Sequence, residues 1–347
     1  MPSAADHFRA LLAEEGAPPP PVLDVLRARR ILERTENVPF FAHSYTLIHN
    51  LDYGPTTTRD LLDFAYTHGL AGLCLHINDG DGSSVGRMTG AEREVFRRHI
   101  EGLGLRLHLE ISSSERAELD RVTACARDLG VENIRLYARY EGPLSSVIER
   151  IYADMCYAAE LANRHDLCID YEQHEDLRAS EIADILRRVG DPRINALFDY
   201  TNSLNAHEEP LEALAILAPY IRQVHIKGGR KVVEGRGWGQ MGVPQGSAED
   251  TLPGNRMLYE LLMLGEDAPQ VVCFALEQEV GYYAPPFRLE GEEADPHIQF
   301  RAPSETPLPE AKALPRHLLD EMRWAIQQIE WNRTLVARLR EICMLAT

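Results

Sequence analysis

No run of about 18 consecutive apolar residues occurs anywhere in this chain, so an ordinary membrane-spanning helix is excluded. Basic residues are scarce: 36 Lys and Arg stand against 54 Asp and Glu, a formal net charge of −18. That excess argues against a nucleic-acid backbone or an anionic membrane as the main partner. It leaves room for a small anionic substrate in a locally basic pocket. The six cysteines (Cys74, Cys125, Cys156, Cys168, Cys273 and Cys343) form no CxxC pair, and most lie in apolar runs. They read as free thiols in a reducing compartment, not as a disulfide framework. The opening MPSAADHFRALLAEEGAPPPP lacks a basic stretch followed by an apolar one, so no secretory signal is expected and the expected location is the cytoplasm. GRGWGQMG (235–242) is glycine-rich but matches neither GxGxxG after a strand nor GxxxxGK[ST]. It reads as a loop in the wall of a site and not as a phosphate cradle.

What the chain does have is a repeated alternation. Apolar runs of strand length recur as PFFAHSY (39–45), AGLCLHI (71–77), LRLHLEI (105–111), NIRLYAR (133–139), LCIDYE (167–172), INALFD (194–199), IRQVHI (221–226) and VVCFALE (271–277). Amphipathic segments separate them. Thr89-x-x-Glu92, Ser112-x-x-Glu115 and Ser146-x-x-Glu149 have the capping-box pattern, and Gly69, Gly130 and Gly190 stand where a helix-ending glycine belongs. Eight strand–helix units of about 33 residues imply a parallel sheet that closes on itself, an α/β fold of the (β/α)8 TIM-barrel type. The barrel is expected over 37–283. Residues 1–36 form an N-terminal extension with a proline run at Pro18–Pro21 and a short basic helix around LDVLRARRILER. Residues 284–347 begin with a proline-rich arm, 284–310, that reads as an ordered excursion or a partner-binding arm. They end in a long closing helix at about 316–344, carrying Leu319, Met322, Ile326, Ile329, Leu335 and Leu339 at helical spacing.

The last four strand runs each end in a side chain that binds hard divalent cations: Glu172, Asp199, His225 and Glu277. Consecutive parallel strands point the same way, so all four tips come to one end of the sheet, the end where barrels of this kind carry their sites. Three carboxylates and one imidazole read as a metal site, oxygen-rich enough to favour Mn²⁺, with Mg²⁺, Co²⁺ or Zn²⁺ as alternatives. Asp199 has a rival reading as the cap of the helix entered through TNSLNAHEE, and His225 as a satisfied core histidine. Glu279, two residues beyond Glu277, competes with it as ligand; Glu277 is favoured because it directly follows FAL.

With a Glu ending strand five, an Asp ending strand six, His225-x-Lys227 on strand seven and a Glu ending strand eight, the chain resembles the xylose isomerase-like TIM barrels, a group of sugar isomerases and epimerases. The resemblance covers roughly residues 38–280. It implies a divalent-metal-dependent isomerase or epimerase of a sugar or sugar acid, working through an enediolate, with Glu172 and Glu277 as both ligands and proton-transfer pair. It also implies a small carbohydrate as partner and a homo-oligomer. His76, Arg139, His174, Asn202 and Lys227 are expected around the substrate, with His43, Glu110 and Tyr137 in the same mouth. Arg139 and Lys227 suit a carboxylate or phosphate. Two departures blur the subfamily: Asn202 stands where sugar epimerases often have a histidine, and Gly-Gly follows Lys227. A lyase, dehydrating or decarboxylating a sugar-derived keto acid, is the alternative. A hydrolase like endonuclease IV and a non-catalytic subunit are further readings. DGDGSSVGRM (79–88), after strand two, reads as a mobile loop and a possible lid, and Trp238 as a stacking surface for a sugar or for protein.

Overall fold

The computed structural model describes residues 2–14, 16–299, 301 and 310–347. All eight apolar runs are strands: β1 Phe40–His43, β2 Gly72–His76, β3 Arg106–Ile111, β4 Asn133–Leu136, β5 Cys168–Glu172, β6 Ile194–Asp199, β7 Ile221–Ile226 and β8 Cys273–Leu276. They pair in sequence order, every pair parallel, and β1 closes on β8 through Phe40–Phe274, Phe41–Ala275 and Ala42–Leu276. Both faces of these strands are largely buried, one against the barrel interior and one against the helices, so apolar residues predominate in most of them. The result is a closed TIM barrel.

Local signals explain most of the helix boundaries. The Thr89–Glu92 box opens the helix Gly90–Leu103, and Gly130 and Gly190 end theirs in the left-handed conformation. Two expected boxes do not form. The helix after β3 runs Arg116–Leu129 with Glu115 itself at the cap, because the Ser112 hydroxyl is taken by His76 and Tyr137. The helix after β4 starts earlier, at Leu144, which places Ser146 and Glu149 inside it. Within the N-terminal extension lie a helix at Ala4–Leu12, not anticipated from the sequence, and one at Val25–Arg34. Phe8 packs edge-on against Tyr259, holding the first of these to the outside of the barrel.

The stretch 235–242 is no irregular loop. Gly229–Glu234 and Gly237–Gly242 form an antiparallel hairpin, extended by Tyr283–Ala284, that folds back over the carboxyl ends of the strands. Glycine is needed at 242, where a Cβ would stand 1.8 Å from the Glu279 carbonyl oxygen. The arm after β8 is tied down at its described parts: His297–Ile298 pairs with Gly142–Pro143, and Arg288 is buried against Glu181 and Glu292. Residues 302–309 of the expected proline-rich arm lie outside the described residues. The closing helix spans Leu314–Met344. Its buried stripe runs through Ala325, Ile329, Leu335 and Leu339, while Leu319, expected on that stripe, is exposed. Among the described residues, no helix is long and apolar enough to cross a membrane.

Candidate active site

Glu172, Asp199, His225 and Glu277 converge at the carboxyl end of β5–β8, each almost wholly buried. His225 Nδ1 lies 3.2 Å from Glu277 Oε2, 3.8 Å from Glu172 Oε1 and 3.9 Å from Asp199 Oδ2. Glu172 Oε2, Asp199 Oδ2, His225 Nδ1 and Glu277 Oε2 all lack a hydrogen bond. Their contacts are ion pairs, with Arg135, Lys227 or one another, and the side chains fall into two overlapping groups close enough to hold a divalent ion, Glu172–Asp199–His225 and His43–His225–Glu277. Asp199 carries both readings at once. Its Oδ1 accepts from the Thr201 and Asn202 backbone N–H groups at 2.8 and 3.0 Å, capping the turn, and its Oδ2 is left for the site. His225 is fixed from behind, its Nε2 3.1 Å from Glu110 Oε1, as a ligand histidine held by a second carboxylate would be.

Two cations balance this acidity. Lys227 Nζ stands 3.0 Å from Asp199 Oδ2 and 2.6 Å from Glu277 Oε2. It is close to both as an ion pair but has hydrogen-bond angles only to Glu279, also at 2.6 Å. Gly228 lets the chain leave β7 with this lysine turned inward, since a Cβ there would meet Gln245 backbone at 2.5 Å. The other cation, Arg135 on β4, contacts Glu172 closely and Glu110 at 3.4 Å. The field splits the two glutamates. Burial pushes the Glu172 carboxyl up to about 7 against the pull of Arg135 and His225. Burial also opposes charge on Glu277, but His225, Lys227 and His43 outweigh it and hold that carboxyl well below the usual range. For His225 the balance is reversed: burial disfavours the imidazolium, and Glu277 and Glu110 prevail, raising its proton affinity.

Above this cluster lies a cavity of about 380 Å³, lined by Glu172, Glu277, Arg135, His43, Glu110 and Tyr137 among others. All five residues expected around the substrate line it too, but their states differ. His174 stacks on Tyr137 with ring centroids 3.7 Å apart, and burial keeps its proton affinity well below normal, so it faces the cavity as a neutral imidazole. His76, similarly lowered to about 4 by burial, lies 3.2 Å from the Ser112 hydroxyl. Arg139 donates to the Tyr137 hydroxyl at 2.6 Å. Asn202 is engaged at both ends, donating to Glu172 Oε1 at 3.0 Å and accepting from Gln240 at 2.9 Å. Lys227 serves the carboxylate cluster first. Glu279 sits on the cavity wall and takes Lys227, while Glu277 is the glutamate 3.2 Å from His225 Nδ1. Trp238 stacks on His207 and under Lys231, a protein contact outside the cavity lining. Asp79, from the loop after β2, reaches the cavity, where burial raises its carboxyl to about 6.

Reading the sequence missed Arg135, Asp79, Tyr282 and the Ser112 hydroxyl. Arg135 had a faint signal, a charge inside an apolar strand run, but a strand buried on both faces gives no parity with which to aim it. Tyr282 donates to Glu175 at 2.7 Å, and its place depends on the hairpin and the arm folding back, which strand patterning does not reveal.

Comparison with known proteins matches residues 49–254 to the xylose isomerase-like TIM barrel family. The chain belongs to that family. It is 37 % identical over 320 residues to the uncharacterized protein YihM of Escherichia coli (strain K12), covering 92 % of this chain and 98 % of that one. Among solved structures, 3-keto-D-glucoside 4-epimerase YcjR from E. coli superposes with a TM-score of 0.51 at 12 % identity, covering 84 % of this chain and 99 % of that one. The IolI protein with a bound zinc atom gives 0.55 at 12 % identity, over 70 % and 89 %. At such identities the likeness is one of fold.

Proposed function

We propose that this protein is a divalent-metal-dependent isomerase or epimerase of a sugar or sugar acid. The observation that carries the reading is the convergence of Glu172, Asp199, His225 and Glu277 at the ends of β5–β8, each with a buried atom that makes ion-pair contacts but no hydrogen bond, beneath a cavity lined by hydrogen-bonding side chains. Glu172, Asp199, His225 and Glu277 would hold the ion, Mn²⁺ first by its preference for oxygen donors. When bound, it polarises a carbonyl and an adjacent hydroxyl, making the C–H between them acidic.

The chain's own groups supply the rest. Glu277, held as a carboxylate, would take a proton from one face of the carbon, and Glu172, with the higher proton affinity, would return one to the other. Asn202 orients Glu172 through its Oε1, and Glu110 orients His225. Neutral His76 and His174 donate to or accept from substrate hydroxyls without adding charge. The family and the epimerase among the structural neighbours are consistent with this chemistry.

Arg139 on the cavity wall favours a second reading, a lyase acting on a sugar-derived keto acid, because it could hold a carboxylate. Both readings are tested by stripping the protein with a chelator, restoring single metals and offering keto-sugars and keto-sugar acids under mass spectrometry. A metal-dependent product of unchanged mass supports the isomerase. Loss of water or carbon dioxide supports the lyase, and metal-independent turnover would sink both.

A further inference from the structure

A second cluster of metal-binding side chains lies at the rim of the barrel mouth, outside the set on β5–β8. His49 belongs to the short helix Ile48–Tyr53 that follows β1, and His317 and Glu321 lie one turn apart on one face of the closing helix. We propose that these three residues form a divalent-cation site of the kind that takes Zn²⁺, clamping the closing helix to the β1 loop.

The three groups already sit within ligand spacing of one another, His49 and His317 in hydrogen-bond contact. His49 Nδ1 is 2.7 Å from His317 Nε2 and 3.0 Å from Glu321 Oε1, and the last two are 3.9 Å apart. Ligands held at roughly 2.0–2.1 Å in a tetrahedron are separated by about 3.3 Å, so the three spacings bracket what Zn²⁺ needs. Glu321 is aimed by its surroundings: its Oε2 accepts from the Asn50 backbone at 3.0 Å and from the Asn50 side chain at 2.7 Å. Such support fixes a ligand before the ion arrives. Two imidazoles and one carboxylate suit Zn²⁺ or Co²⁺ better than Mg²⁺ or Ca²⁺.

An ion can enter and keep an open position. All three side chains line a cavity of about 230 Å³ whose other walls include Asp52, Asp79 and Glu279. Among the described residues, four carboxylates and no lysine or arginine border that space, so its field draws a cation. In contrast, Arg135 and Lys227 stand within the cluster on β5–β8. Asp79, Glu279, Tyr45 and Tyr282 border both cavities, so the clamp would sit at the approach to the proposed active site.

The test loads the full chain, stripped by a chelator, with Co²⁺ and reads bound metal per chain and visible absorption in the parent, His49→Ala, His317→Ala and His225→Ala. Circular dichroism confirms folding, and the two rim variants lie on different elements, so one unfolded variant leaves the other to decide. The expected result is that each rim variant binds one equivalent fewer than the parent and loses the tetrahedral Co²⁺ absorption, which His225→Ala retains. Rim variants that keep the parent's metal content and spectrum would overturn the proposal. A parent whose single ion is lost in the rim variants and kept in His225→Ala would support this site and count against the metal reading of β5–β8.

Discussion

The two halves of the barrel mouth use their polar atoms differently. On β1–β4, Glu110 has both oxygens occupied, 3.1 Å from His225 and 3.1 Å from His43, and His76 and Tyr137 both reach Ser112. On β5–β8, Glu172, Asp199, His225 and Glu277 each keep one buried atom without a hydrogen bond. These β1–β4 groups hold one another through hydrogen bonds, whereas those buried atoms on β5–β8 are left with ion-pair contacts alone. On the proposed reading, the chemistry falls to β5–β8, and its support and much of the substrate lining to β1–β4.

Substitutions on the two sides should therefore fail differently. The largest effect is expected from Glu172→Gln or Glu277→Gln, which keep shape and remove a proton carrier. Each should lower kcat by about 10²–10⁴-fold in a protein that still folds, with a smaller loss of melting temperature because buried Arg135 or Lys227 loses a charged partner. Equal losses of activity and stability would blur the contrast.

Arg135→Leu attacks the β1–β4 side. Removing one partner of a buried ion pair leaves its carboxylates uncompensated and costs about 3–5 kcal/mol. Urea unfolding should show that loss, and adding Glu110→Gln should recover part of it. Recovery would be absent if the arginine mattered only through its contact with Glu172.

Asn202→Ala removes one hydrogen bond to Glu172, worth about 1 kcal/mol. The expected cost is about fivefold in kcat with KM nearly unchanged; a change confined to KM would make Asn202 a substrate contact instead.

The smallest effect concerns Glu175, beside the site but outside the proposed ligand set. Burial raises its carboxyl to about 7 from an ordinary value of about 4.5. Below about 4.5 both folded and unfolded chains hold the proton. Between there and about 7 only the folded chain holds it, so stability falls as pH rises through that window. Glu175→Gln should raise the melting temperature more at pH 8 than at pH 5; an equal gain at both would refute the charged-state origin.

Much of this was legible in the sequence, for identifiable reasons. The eight strands showed as apolar runs because both faces are buried, and Glu172, Asp199, His225 and Glu277 showed because each interrupts such a run at its end. Arg135 did not, since a charge in mid-strand can face either way when neither face meets water. The Ser112 box misled because its hydroxyl had a tertiary partner in His76. The meeting of His49 with His317 and Glu321 depends on where the closing helix docks, which no local pattern encodes. The hairpin at 229–242 looked like a loop because its glycines, needed for close approach, resemble turn residues.

The most direct measurement is solvent exchange: incubate the metal-loaded protein with keto-sugars in D₂O and locate deuterium by NMR, beside Glu172→Gln and Glu277→Gln. Deuterium at one carbon next to the carbonyl, with the skeleton intact and exchange abolished in both variants, is the expected result. Exchange that proceeds undiminished in the variants, or turnover without any exchange, would contradict proton transfer by this pair.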